Sequence, residues 1–202
     1  MWVQAGRDPE PSLAIIDSAS RQTTRTSGQR GYDAGKKNNG IKRHFLVDAM
    51  GLVLCVVVLT ANIQDRDGAK ILLAKAAKFG LTRLKIILGD DGYSGPKLAE
   101  YVLAEHGWKL VSVKRTQPHQ FQVIPKRWIV ERTIGWTNNF RGLSKHYDHR
   151  CETSEAKVLL ASIFYMTKRL TTTPDAPKWS IENEQKLKMK LEKAAEKSVT
   201  PA

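Results

Sequence analysis

Residues 41–60 read IKRHFLVDAMGLVLCVVVLT. Two strand-like runs, 41–47 and the β-branched run 52–60, flank the turn-forming segment Asp48-Ala49-Met50-Gly51. Two such runs joined by so short a turn predict a β-hairpin. A hairpin in the first third of the chain indicates that a β-sheet forms the core of the fold.

The remaining segments predict three further strands and four helices. Strands are expected at residues 14–18, 84–88 and 108–114, and helices at 67–80, 96–106, 127–140 and 153–170. The polar segment 19–40 is expected to form a loop. Three early strands followed by alternating helices and strands predict an α/β fold, with a mixed five-stranded sheet flanked by helices.

The same patterns predict one domain with two appendages. At 202 residues and 41% hydrophobic, the chain can bury the core of one domain. We expect an N-terminal leader at 1–12, the catalytic domain at 13–170, and a flexible or helical charged tail at 171–202.

The charge of the chain favours a polyanionic partner. The formal net charge is +13 and the pI is about 9.8. Residues 20–45 contain seven Lys or Arg against one acid, and residues 109–150 contain nine against two. Such an excess favours binding to nucleic acid, in a salt-dependent manner.

Other classes of protein fit the sequence poorly. No apolar stretch approaches the ~20 residues that a membrane span needs, so no membrane partner is expected. Two cysteines, Cys55 and Cys151, suggest no disulfide framework and favour a reducing, cytoplasmic location. The cluster His146, His149 and Cys151 is a weak zinc pattern because a second set of ligands is absent.

Three acidic residues lie in apolar or basic surroundings. Asp17 follows the run Ala14-Ile15-Ile16, Asp90 follows the predicted fourth strand, and Glu131 lies in the basic, aromatic helix 127–140. Carboxylates from three elements can hold Mg²⁺ or Mn²⁺, and two such ions can promote phosphodiester cleavage. We therefore assign these three acids as candidate catalytic and metal-binding residues.

Each acid also has a simpler explanation. Asp17 could begin a turn, Asp90-Asp91-Gly92 could be an ordinary turn, and Glu131 could pair with Arg127 on an exposed helix face. An unpaired carboxylate beside two isoleucines is costly, which argues against the simple explanation for Asp17. The candidate DNA-binding residues are all basic and lie in the two charge-rich segments: Lys36, Lys37, Lys42, Arg43, Arg127, Arg132, Arg141 and Lys145.

A series of ordered segments resembles the DDE transposases of bacterial insertion sequences, of the IS-four/IS-five kind. The resembling segments are Ile16-Asp17-Ser18-Ala19-Ser20, Arg30 to Lys37, Lys42 to Asp48, Gln64 to Ala69, Asp90-Asp91-Gly92-Tyr93, Arg127 to Thr133 and Glu152 to Ala156. The resemblance covers about residues 10–170. It implies a ribonuclease-H-like domain that uses Mg²⁺ to nick double-stranded DNA at element ends and to join the freed 3′-hydroxyl to a target.

The resemblance assigns further properties and has two departures. It implies a bacterial protein, associated with the nucleoid when bound to DNA, that forms a homodimer. Because family members usually carry an N-terminal region that this sequence lacks, the chain is expected to be the second reading frame of a two-frame element or a decayed fragment. Where the family has Tyr three residues before Arg127 and Lys seven residues after Glu131, this chain has Ile124 and Asn138. The alternatives are another ribonuclease-H-like nuclease and a catalytically incomplete fragment that only binds DNA.

Overall fold

The structure is a computed structural model that describes residues 1–25, 28–112 and 126–171, without the side chains of Gln4 and Arg127. The chain divides into two compact units, Met1–Thr167 and Lys168–Ala202. The predicted tail lies outside the described residues except for Thr171, and so does Ile124.

A mixed sheet forms the centre of the first unit. Its strands are β1 (Leu13–Gln22), β2 (Gly31–Asp33), β3 (Asn38–Asp48), β4 (Val53–Thr60), β5 (Ile86–Gly89) and β6 (Lys109–Ser112). β1 pairs with β3 in the antiparallel sense and with β5 in the parallel sense. β4 and the short β2 both pair antiparallel to β3, and β6 pairs parallel to β5.

Helices cover both faces of the sheet. They are α1 (Asp65–Ala77), α2 (Pro96–His106), α3 (Arg127–Asn138), α4 (Arg141–Ser144) and α5 (Cys151–Thr171). Alternate residues of a strand point to opposite faces. Ala14, Ile16 and Ile87 pack with α1 and α2, whereas Leu13, Ile15 and Leu88 pack with α3 and α5. The predicted α/β fold, a mixed sheet flanked by helices, is confirmed, and among the described residues the short β2 adds a sixth strand to the five that were predicted.

The predicted hairpin connects β3 to β4, and Asp48 closes its turn. One carboxylate oxygen of Asp48 accepts hydrogen bonds from the amides of Met50 and Leu52 at 2.7 and 2.9 Å, and the other accepts one from the indole of Trp2 at 2.6 Å. Gly51 has a φ of 81°, a conformation that glycine adopts without strain. The turn is therefore built from the residues that identified it in the sequence.

The prediction of a loop across residues 19–40 was wrong at both ends. β1 continues to Gln22 and β3 begins at Asn38, so Gln22 lies opposite Gly40 in the antiparallel ladder. A Cβ on Gly40 would lie 1.9 Å from the carbonyl oxygen of Arg21. Glycine at position 40 thus permits the close approach that extends the sheet through polar residues.

The first predicted helix also begins earlier than expected. α1 starts at Asp65, with Gln64 rather than Asp67 as the N-terminal cap. Its buried residues are Gly68, Ala69, Leu72, Leu73 and Ala76, whereas Phe79 lies beyond the helix and is exposed. Within the described ranges, no helix is long and apolar enough to span a bilayer.

Candidate active site

Asp17 lies in β1, and Asp90 directly follows β5, the parallel neighbour of β1. In the register of β1 and β5, Ile15 lies opposite Leu88. Asp17 comes two residues after Ile15, and Asp90 comes two residues after Leu88. Asp90 keeps an extended backbone, with φ −80° and ψ −176°. Both carboxylates therefore belong to the sheet face that Ile15 and Leu88 share, which is the face covered by α3.

The backbone around each carboxylate fixes its position. Asp90 caps the short 3₁₀ helix Asp91–Tyr93, and its Oδ1 accepts a hydrogen bond from the Gly92 amide at 3.0 Å. Asp17 is half-buried, and its Oδ1 accepts one from the Ser18 amide at 2.7 Å. The turn after Asp90 that the sequence offered as an alternative is thus real, and it also orients the carboxylate.

Glu131 lies on the flank of α3 that is turned toward the end of β1. The opposite flank contacts the hairpin turn, where Thr133 Oγ1 donates to the Gly51 carbonyl at 2.9 Å and Arg132 Nη2 donates to the Met50 carbonyl at 3.2 Å. At 100° per residue, Glu131 and Asn138 share the other flank. Asn138 contacts Arg21 of β1 there, and Glu131 is exposed two turns earlier.

The donor set suits a hard divalent cation. Asp17, Asp90 and Glu131 offer only carboxylate oxygens, which Mg²⁺ and Mn²⁺ prefer. Asp17 in β1 and Asp90 after β5 belong to neighbouring parallel strands, and α3 covers the same face. In the part of the chain that the structure describes, no group of three or more His, Cys, Asp and Glu residues is close enough to hold a metal ion.

Asp65 and Tyr93 are site residues that the sequence did not single out. Tyr93 is buried, and burial together with the negative charges of Asp17, Asp65 and Asp90 holds the pKa of its phenol well above the usual value. Ser18 Oγ donates to Asp65 Oδ1 at 2.7 Å. An acidic residue at the start of a helix that follows a strand was the available signal for Asp65.

Lys42 serves a structural role, which corrects its assignment to DNA binding. Its side chain is 6% exposed, and its ammonium lies 3.1 Å from Asp65 Oδ1 and 3.5 Å from Asp33 Oδ2. It also donates to the Ile63 carbonyl at 3.0 Å. The ammonium of Lys42 bonds to groups within the protein and holds the loop after β4 against the sheet. We therefore no longer assign Lys42 to DNA binding.

Arg43 is corrected for the same reason. It is 1% exposed, and its Nη1 donates to the carbonyl of Leu143, at the end of α4, at 2.6 Å. Its Nη2 lies 3.4 Å from Ser154 Oγ of α5. Burial and the charge of Arg21 lower the pKa of Arg43 to about 10, against the opposing effect of Asp148. Arg43 joins the sheet to α4 and α5.

The other predicted DNA-binding residues are more accessible. Lys36, Lys37, Arg141 and Lys145 are exposed, and the side chain of Arg127 lies outside the described residues. Arg132 is half-buried between two indoles, 4.6 Å from the ring centres of both Trp128 and Trp136. Of the weak zinc pattern, His146 and Cys151 are buried, whereas His149 is exposed.

Asn138 holds a cation of β1. Arg21 donates from Nε and Nη2 to Asn138 Oδ1 at 3.1 and 2.6 Å, and from Nη1 to the Ser20 carbonyl at 2.8 Å. Arg21 shares the strand face of Asp17, four residues further along. No local pattern indicates this contact because the two residues are 117 positions apart.

Comparison with known proteins shows the family of the chain. The chain matches the family described as "Transposase DDE domain" over residues 8–165. It is 28% identical over 119 residues to the "Putative transposase for insertion sequence element IS402" of Burkholderia cepacia, and the match covers 56% of each chain. The chain thus spans about half the length of that relative.

A solved structure shows a much weaker likeness. The Drosophila P element transposase strand transfer complex is 14% identical, with a TM-score of 0.28, over 52% of this chain and 26% of that chain. That likeness is too weak to support a conclusion about fold or function. Because the family match covers most of the chain, the chain belongs to the transposase DDE domain family.

Proposed function

We propose that this chain is the catalytic domain of an insertion-sequence transposase, which cleaves DNA at element ends and transfers the freed strand with the help of divalent metal. The observation that carries the proposal is the placement of Asp17 in β1 and of Asp90 directly after β5, the parallel neighbour of β1, on the face that α3 covers. The family match supports it.

Asp17, Asp90 and Glu131 would hold Mg²⁺ or Mn²⁺, in a site for two ions. Bound ions of this kind activate the attacking oxygen and stabilise the leaving oxygen in an in-line displacement. The protein's own contribution is to fix two carboxylates by backbone hydrogen bonds, one within β1 and one directly after β5, and to present the third from a packed helix. Such preorganised groups need little reorganisation during the reaction.

DNA would be held by exposed basic residues through its phosphates. Lys36 and Lys37 lie in the turn between β2 and β3, and Arg141 and Lys145 lie in and just after α4. Arg127 and Arg132 on α3 complete the proposed set. Phosphate contacts fix the orientation of a duplex without reading its sequence. We also propose that the protein acts on DNA as a homodimer.

Nicking of a supercoiled plasmid that carries element ends tests the proposed cleavage. Wild type is expected to nick it in Mg²⁺ or Mn²⁺ but not in EDTA, and Asp90→Asn is expected to lose the activity while still binding DNA. Asp67→Asn is the matched control, because Asp67 is an exposed acid of α1 paired with Lys70. Equal nicking by wild type and Asp90→Asn would overturn the assignment.

A second assay separates a transposase from a nuclease. An oligonucleotide with an exposed 3′-hydroxyl at the element end is incubated with protein, metal and a target plasmid. Covalent joining of the oligonucleotide to the plasmid is expected for a transposase. Metal-dependent nicking without joining would favour a nuclease, and DNA binding without either would favour a catalytically incomplete fragment.

A further inference from the structure

The guanidinium of Arg21 is a fixed cation on the same sheet face as the candidate catalytic acids. Three of its N–H groups are used within the protein, two by Asn138 and one by the Ser20 carbonyl. An arginine has five N–H donors, so one on each terminal nitrogen remains. Guanidinium N–H donors match the oxygens of a phosphate.

The charge of Arg21 has no acidic partner in the described ranges. Its described contacts are the amide oxygen of Asn138 and a backbone carbonyl, neither of which carries a charge. Arg21 is half-buried, and burial lowers the pKa of its guanidinium. Its positive charge also lowers the pKa of nearby Arg43. A partly desolvated, unneutralised cation is costly unless an anion binds it.

The backbone around Arg21 brings a second cation to the same place. The amide of His146 donates to the Gln22 carbonyl at 2.9 Å, and Thr23 forms a parallel bridge with His146. This pairing anchors exposed Lys145 beside the end of β1 that carries Arg21. Asp148, the acid of this segment, is itself paired with Lys157. The end of β1 therefore carries a local excess of positive charge.

We infer that Arg21, held by Asn138, binds a backbone phosphate of the DNA strand that enters the site, a few nucleotides from the phosphodiester to be cleaved. Arg21 lies four residues from Asp17, or about 13 Å along an extended strand. It is thus outside the metal site and within a short stretch of DNA from it. The inference rests on the proposed function, since it takes DNA as the ligand.

The salt dependence of DNA binding by the full chain tests the inference. Binding of a short random-sequence duplex is measured in EDTA at several salt concentrations, because a phosphate contact is independent of base sequence and of cleavage. Arg21→Ala is expected to reduce the slope of log K against log salt by about 0.9, the value for one lost phosphate contact. Arg21→Lys is expected to retain the slope.

Two further variants keep the test decisive. Asn138→Asp places a carboxylate against the guanidinium and is expected to lower the slope as Arg21→Ala does, even where the latter folds poorly. Arg83→Ala is the control with equal charge loss, since Arg83 precedes β5 at the opposite end and already pairs with Asp8. Its slope is expected to match that of wild type.

The outcomes separate this inference from the proposed function. If wild type binds DNA and folded Arg21→Ala and Asn138→Asp both keep its slope, the inference is overturned and the proposed function stands. If Arg83→Ala lowers the slope as much as Arg21→Ala, the effect is one of net charge and the inference also fails. If wild type does not bind DNA, both the proposed function and the phosphate contact of Arg21 are contradicted.

Discussion

The imidazole of His44 occupies the space that a side chain at position 68 would need. A Cβ on Gly68 would lie 2.2 Å from Cε1 and 2.4 Å from Nε2 of His44. Gly68 is inside α1, where glycine costs about 1 kcal/mol relative to alanine. The close approach of α1 to β3 at this point explains why a poor helix former stands there.

Gly68→Ala is therefore expected to destabilise the protein, although helix propensity alone predicts the opposite. Forcing a methyl group into the packed ring should cost about 1–3 kcal/mol, measured as the free energy of unfolding in urea. Gly135→Ala in α3 is the control, since nothing lies within 4 Å of a Cβ there. It should gain up to about 1 kcal/mol. Equal gains in both variants would contradict the packing described here.

The stability of the protein is expected to fall on mild acidification because of His44. The ring is fully buried, and burial lowers its pKa to about 4, with Lys42 and Lys36 also lowering it and Asp65 opposing them. Between pH 6.5 and 4 the unfolded chain binds the proton more readily than the folded one, so stability decreases by up to about 1.4 kcal/mol per pH unit.

Replacing His44 should flatten that dependence. His44→Leu is expected to show a smaller decrease in the free energy of unfolding between pH 6.5 and 4 than wild type. His149→Leu, which removes an exposed histidine, should behave like wild type. A pH profile that is unchanged in His44→Leu would show that another group causes the acid sensitivity.

Lys42→Met is expected to destabilise the fold at neutral pH by about 3 kcal/mol, because it leaves two acids without their cation. Lys42 and the hydrogen bonds of Ser18, Ser20 and Lys36 lower the pKa values of Asp33 and Asp65 against the opposing effect of burial. A lowered pKa stabilises the fold above pH 3.8 and ceases to do so as the pH falls further.

The destabilisation by Lys42→Met should therefore shrink between pH 7 and pH 3, where both acids take up protons. Urea unfolding at the two pH values measures this. Lys70→Met removes a lysine whose partner Asp67 is largely exposed, and it should change stability by less than about 1 kcal/mol at either pH. A constant effect of Lys42→Met across pH would argue that its role is packing alone.

Arg43→Met distinguishes a structural arginine from a DNA-binding one. Loss of the bonds to Leu143 and Ser154 leaves a buried carbonyl without its donor, which should cost about 1–3 kcal/mol of stability. The salt dependence of DNA binding by the folded variant should equal that of wild type. If the slope of log K against log salt fell by about 0.9, Arg43 would bind a phosphate after all.

The sequence predicted those parts of the fold that depend on local pattern. The hairpin 41–60 and the strand before Asp90 follow from β-branched runs and turn residues near one another in the chain. The extension of β1 to Gln22 was not predictable in this way, because it depends on the missing side chain of Gly40 in another strand.

The positive charge of a residue in the sequence did not predict whether that residue is available to bind DNA. Lys42 and Arg43 stand beside other basic residues in the sequence, yet strand alternation and pairing bury both. Arg21 carries a charge without an acidic partner in the described ranges. In the sequence it resembles its basic neighbours, and only the contact with Asn138 of α3 distinguishes it. Whether a cation is buried with partners or presented to a ligand depends on contacts far apart in the chain.

The central claim is that Asp17, Asp90 and Glu131 hold divalent metal together. Localised cleavage of the full chain by bound Fe²⁺, with ascorbate and peroxide, tests it directly. Fragments are expected from cuts near positions 17, 90 and 131, suppressed by excess Mg²⁺ and lost in Asp90→Asn but retained in Asp67→Asn. Cuts clustered elsewhere, or an unchanged pattern in Asp90→Asn, would contradict the assignment of these three acids to one metal site.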